Sequence, residues 1–142
     1  MKVAALKVRD SKDNICYISE AFLEEDRGIV GDLSKRQEYG QVSILGSEFR
    51  EIIDDEKMEG LCSFGFDENI TIEDLDTKDI NIGQRLVIGD TVHEIICIGR
   101  RCAKDCKLIQ LEGKCKLFMN VVFTKIIKGG VVKVDDKVIS LR

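Results

Sequence analysis

Not one proline occurs in this chain, so its twelve glycines must make most of the tight turns. Between those glycines the apolar residues come in short runs, too short for long helices and well suited to strands. Val3 to Val8 reads as a first strand. The polar Lys12-Asp13-Asn14 turn then leads into Ile15-Cys16-Tyr17-Ile18. Val42 to Leu45 is a further strand. Leu86 to Val92 reads as two strands around a Gly89-Asp90 corner, and Glu94 to Ile98 continues that pattern. Val121 to Ile127, Gly129-Gly130 and Val131 to Leu141 complete the set, with Asp135-Asp136 echoing the Gly89-Asp90 corner. Many short strands, glycine corners and little helix predict a mainly β protein with a closed or nearly closed barrel. Closure also removes edges that would otherwise invite aggregation.

Helix is expected in two places. Ser47-Glu48-Phe49-Arg50-Glu51-Ile52-Ile53 carries a capping serine and an acidic first turn. Phe49, Ile52 and Ile53 form its apolar stripe. A second small helical turn is predicted over Thr71 to Leu75. A doubly wound α/β sheet would need several helices of ten or more residues, and the periodicity offers none.

The length suits one domain, 1–142, with one core. No apolar run is long enough to span a membrane, and the N-terminus MKVAALKVRD lacks the pattern of an export signal. The six cysteines are therefore expected as reduced thiols in the cytoplasm. A net charge of −4 argues against bulk affinity for nucleic acid or anionic membrane, while leaving room for a local anion pocket.

Chemistry concentrates near the C-terminus. Cys97, Cys102, Cys106 and Cys115 fall among Arg100, Arg101, Lys104, Lys107, Lys114 and Lys116. Positive surroundings favour the thiolate, the form that attacks sulfur or binds metal. The spacing is neither a CxxC redox motif nor a paired zinc ribbon. A soft metal held by several thiolates is one alternative, and incidental surface or loop thiols are another. Cys97, within Ile95-Ile96-Cys97-Ile98, reads as a core residue, as do Cys16 and Cys62.

A second candidate is Arg27-Gly28-Ile29-Val30-Gly31-Asp32, followed by Lys35 and Arg36. Its glycines either expose backbone N–H groups to an anion or permit a corner. Arg36 adds a planar donor fork. Should this loop meet Arg100 and Arg101, a positive recess would lie beside the thiols. Asn69 and Thr71 either bind a ligand or cap the following turn. His93 is the only histidine, so a paired-histidine metal site is impossible. Glu24, Glu25 and Asp26 read as a solvated face.

Taken in order, RGIVGD (27–32), QVSIL (41–45), GFDENIT (65–71), NIGQRLVIGDTVHEI (81–95), IGRRCAKDC (98–106) and VVFTKIIKGG (121–130) resemble the MOSC domain family in its short stand-alone prokaryotic form. The family is named for the C-terminal domain of molybdenum cofactor sulfurases. The resemblance implies a β-barrel with a few short helices and a single domain. It also implies molybdenum cofactor (molybdopterin) binding or sulfur transfer through a cysteine persulfide. Cys115, ahead of Phe123, matches the family's functional cysteine. The candidate cofactor-binding residues are Arg27, Gly28, Gly31, Asp32, Arg36, Asn69, Thr71, Arg100, Arg101, Cys102 and Cys106. No dedicated metal ligand is assigned. A cysteine desulfurase or a molybdoenzyme is the implied partner. The alternative is a non-catalytic module that binds an anion, a pterin cofactor or a protein. Family histidines are replaced here by Ser34 and Ala103, and Phe118 and Val121 stand where relatives carry proline and glycine.

Overall fold

The computed structural model describes residues 1–11, 14–25, 27–33, 41–56, 68–99 and 120–141. In chain order the strands are β1 (Lys2–Ser11), β2 (Asn14–Ile18), β3 (Glu20–Glu24), β4 (Gly28–Ile29) and β5 (Val42–Gly46). They continue with β6 (Ile70–Glu73), β7 (Arg85–Ile88), β8 (Thr91–Ile98), β9 (Val122–Lys128), β10 (Gly130–Lys133) and β11 (Val138–Leu141). Helix α1 (Ser47–Glu56) follows β5, and a 3-10 turn spans Thr77–Asp79.

The strands do not close into a barrel. Eight form one open sheet in the order β11-β7-β8-β9-β5-β6-β1-β2, and three form a separate sheet, β10-β3-β4. The reason lies at Ser19. There the chain leaves β2 and begins β3, which pairs with β10 and β4 instead of extending the large sheet. At the other edge, the start of β1 meets the β10–β11 turn through an isolated Lys2–Lys137 bridge, without a ladder. The mainly β expectation holds, and the closed barrel does not.

Burial explains the individual elements. β5 is buried along its whole length because β9 and β6 flank it on both sides. β5 and β6 run parallel, which requires a crossover connection, and α1 lies in that connection. Ser47 and Glu48 begin α1 as predicted, with Glu48 at the positive end of the helix dipole. The predicted helical turn over Thr71 to Leu75 is instead strand β6. Its Ile70 and Ile72 are fully buried between β5 and β1, and packing there overrides the local polar signals. The strand ends at Asp74, which adopts φ +63.

The two corners that echo each other in sequence meet in space. The Gly89 N–H donates to the Lys137 carbonyl at 3.3 Å, and the Asp90 N–H donates to the Val131 carbonyl at 3.2 Å. Gly89 sits at φ +55, and a Cβ there would run into the Asp136 carboxylate. That carboxylate accepts the Lys133 N–H at 2.8 Å, which closes its own turn. The β7–β8 corner thus nests on the β10–β11 turn and pins the small sheet to the large one. The core runs between them through Leu6, Ala21, Leu23, Ile44, Ile70, Ile88, Ile95 and Val132, all buried.

Candidate functional site

Two sequence motifs that looked separate converge on one buried polar cluster. Gly28 takes φ +95 and packs closely on the Gln41 backbone, where a Cβ would stand 3.0 Å from the carbonyl oxygen. Gly31 takes φ +90. Together they turn the chain so that half-buried Asp32 faces β1. Asp32 Oδ1 accepts the Arg9 N–H at 2.9 Å, and Oδ2 accepts from Asn69 Nδ2 at 3.1 Å. Asn69 is 2% exposed. Its Nδ2 also donates to the Lys7 carbonyl at 3.2 Å. Its Oδ1 accepts from the Ser43 backbone and hydroxyl, while its own N–H donates to Ser43 Oγ at 3.0 Å. Asn69 is therefore not the simple turn cap weighed from sequence. It is a three-way tie between the Gly28–Asp32 loop, β1 and β5.

Beside it lies a buried ion triad. Glu68 is fully buried. Its Oε1 accepts from Lys7 Nζ at 3.1 Å and from Arg50 at 2.7 Å, and its Oε2 accepts from Thr71 Oγ1 at 2.7 Å. Lys7 is only 3% exposed and lies 5.3 Å from the Tyr17 ring centre. Two cations and a hydroxyl offset the cost of burying this carboxylate. Sequence reading missed Lys7, Ser43, Arg50 and Glu68. The available signal was faint: a lysine inside the apolar run of β1, and a glutamate directly before Asn69.

Arg27 is well exposed and pairs with Glu24 at 3.7 Å. Thr71 is buried with its hydroxyl on Glu68. Asp32, Asn69 and Thr71 are thus brought together, and Gly28 and Gly31 shape the loop that delivers Asp32. Arg36, Arg100, Arg101, Cys102, Cys106 and Cys115 lie outside the described residues, as do Cys62, Ser34, Ala103 and Phe118.

The topology does locate both ends of the thiol-bearing segment. Ile98 and Val122 are register partners in β8 and β9, and the Gly99 N–H donates to the Val121 carbonyl at 2.7 Å. Gly99 and Val121, on either side of that segment in the chain, are therefore neighbours in the sheet. Cys97 is half-buried, and its thiol donates to the Gly99 carbonyl at 3.2 Å. Cys16 is also half-buried, at the margin of the core. Its thiol donates to Asp10 Oδ2 at 3.0 Å, and that bond holds the thiol pKa above its usual value.

His93 belongs to the interior. It is fully buried between Thr91 and Thr124. The Thr91 hydroxyl donates to the Ile88 carbonyl at 2.7 Å, so it accepts from His93 Nε2–H. Nδ1 then accepts from the Thr124 hydroxyl at 2.9 Å. The neutral ring is fully satisfied, and burial pushes its pKa down to about 4. Among the described residues, no group of three or more His, Cys, Asp or Glu side chains could hold a metal ion. No helix among them is long and apolar enough to cross a membrane.

A search of curated proteins found no match. Among solved structures the chain is similar to the YuaD protein of Bacillus subtilis, with a TM-score of 0.68 at 15% identity over 96% of this chain and 93% of that one. It is also similar to YiiM of Escherichia coli, with a TM-score of 0.62 at 16% identity over 100% of this chain and 70% of that one. For YiiM of Geobacillus stearothermophilus the values are 0.62 at 14% over 99% and 75%. At such identities these likenesses establish a shared fold. The MOSC domain itself matches residues 45–139. That span takes in α1, β6 to β10 and the Asn69–Thr71 element, so the chain belongs to the MOSC domain family.

Proposed function

We propose that this protein is a sulfur carrier, with Cys115 as the carrying thiol. The observation that supports the reading most directly is the hydrogen bond from Asn69 Nδ2 to Asp32 Oδ2 at 3.1 Å. It joins the two motifs that the family resemblance marks out, 37 residues apart in sequence, in one ordered polar cluster. Lys114 and Lys116 flank Cys115 in the chain and favour its ionised form. The thiolate attacks the outer sulfur of a donor persulfide, forming a new S–S bond and releasing the donor thiolate. The resulting Cys115 persulfide then yields that sulfur to an acceptor, and a cysteine desulfurase and a molybdoenzyme fit the roles of donor and acceptor partner.

The described cluster does not by itself fit an anionic molybdenum cofactor. Lys7 and Arg50 are committed to Glu68, and Asp32 adds a second negative charge, so the cluster supplies order and no excess positive charge. Holding groups for such a cofactor are assigned instead to Arg27, Arg36, Arg100 and Arg101, with Cys102 and Cys106 as neighbouring thiols. The sulfur step rests on the cysteine alone.

Incubation of the reduced protein with glutathione persulfide under anaerobic conditions, followed by peptide mass spectrometry, tests the reading. One added sulfur is expected on Cys115 in preference to the other five cysteines, and Cys115→Ala should abolish that transfer while leaving the fold unchanged. Equal labelling of all cysteines, or none, would sink it. The second reading is a module that binds an anion or a protein without turnover. That reading predicts tight ligand binding that survives Cys115→Ala.

A further inference from the structure

β2 is an outer strand of the large sheet, and the direction of its free backbone groups can be worked out. On the far side of β1, the Lys7 N–H donates to the Asn69 carbonyl at 2.8 Å, and the Arg9 carbonyl accepts from the Leu33 N–H at 2.8 Å. The backbone groups of residues 7 and 9 thus point away from β2. Successive residues in a strand alternate their backbone direction, so β1 bonds β2 through Leu6 and Val8. Their register partners are Ile18 and Cys16. This leaves Ile15 and Tyr17 with N–H and C=O groups directed outward, and no described residue is bonded to them in the sheet. Tyr17 is 72% exposed.

The two outward-facing residues flank Cys16 symmetrically. We infer that the β2 edge pairs antiparallel with β2 of a second copy of this chain, about a twofold axis at Cys16. In that register Ile15 of one copy faces Tyr17 of the other, and each pair exchanges both backbone hydrogen bonds. The side chains make an aromatic against β-branched cross-strand pair, a favourable combination. A shift by one residue would turn already bonded groups toward the partner, so the alternating backbone excludes it. Cys16 then meets its symmetry mate in a non-hydrogen-bonded pair, with Cα atoms about 4.5 Å apart. That separation lies within the span a disulfide can bridge. Edge pairing of this length covers less surface than a permanent dimer requires, so the association is weak and reversible. It is independent of the sulfur-carrier reading.

The test uses the full-length protein. Tyr17→Pro removes an outward-facing N–H, a position where an edge strand tolerates proline without losing an internal ladder bond. In sedimentation velocity over a concentration series, the wild type is expected to dimerise, and Tyr17→Pro to associate at least about tenfold more weakly with an unchanged far-UV spectrum. Diamide, which takes up the two protons and two electrons of disulfide formation, should trap a covalent dimer. Mass spectrometry should map it to Cys16–Cys16, and Cys16→Ser should abolish it. A wild type that stays monomeric up to about 1 mM would overturn the inference. So would a dimer that withstands Tyr17→Pro, or covalent dimers joined only through other cysteines. Should Tyr17→Pro prove unfolded, Ile15→Pro removes the other outward donor of the same cross-strand pair and is read in the same way.

Discussion

At the scale of the residue, two buried polar side chains show how much depends on partners. His93 is bonded to Thr91 and Thr124, and burial holds its folded-state pKa at about 4, below the usual value of 6.5. The unfolded chain therefore takes up the proton first as pH falls. The contribution is fully present above about pH 6.5, is lost progressively between 6.5 and 4, and levels off below. Its full size is about 3 kcal/mol. Urea unfolding at several pH values should show this decline, and His93→Gln should flatten that part of the profile. Glu68 makes the complementary case. Glu68→Ala would leave Lys7 and Arg50 without their carboxylate, at a cost of about 3–5 kcal/mol. Replacing Lys7 by Met in the same chain should recover part of that loss, and a double-mutant cycle measured by chemical denaturation checks it.

At the scale of the element, the corners matter more than the strands they join. Gly89 combines a positive φ with close packing on Asp136. Gly89→Ala is expected to destabilise by about 2–3 kcal/mol, combining left-handed backbone strain with steric conflict. Removing the conflicting carboxylate with Asp136→Ala should make the second substitution less costly than the two taken separately, and thermal unfolding of the four variants measures the coupling. The sequence showed that Gly89-Asp90 and Asp135-Asp136 were corners. It could not show that they touch, because the contact joins turns more than forty residues apart and leaves no periodicity. The same limit explains the missed strand β3. Ala21-Phe22-Leu23 is apolar throughout, whereas only Ala21 and Leu23 face the core and Phe22 is 57% exposed. The alternation exists in the fold and is hidden in the composition.

At the scale of the whole molecule, stability should be graded from the centre of the large sheet outward. β8, β9 and β5 are central, and Ile95, Thr124 and Ile44 are fully buried there. Their amides should exchange with solvent most slowly, at rates set by global unfolding, while those of β2 and β11 at the edges exchange faster through local opening. Hydrogen exchange followed by mass spectrometry resolves this order, and uniform protection across the sheet would contradict it.

Much of the β character was written in local sequence. Short apolar alternations, glycines at positive φ and the serine–glutamate start of α1 act over a few residues, and the chain carries their physics without help from distant parts. The order of the family's motifs was legible in the same way, because order is a property of the chain. Whether the sheet closes was not local: it turned on β3 leaving β2 at Ser19 to pair with β10. Nor could local pattern place Asp32 against Asn69, or Lys7 and Arg50 against one buried glutamate. Those contacts are decided by tertiary structure, because a polar side chain taken out of water must find whatever partner the fold brings within reach.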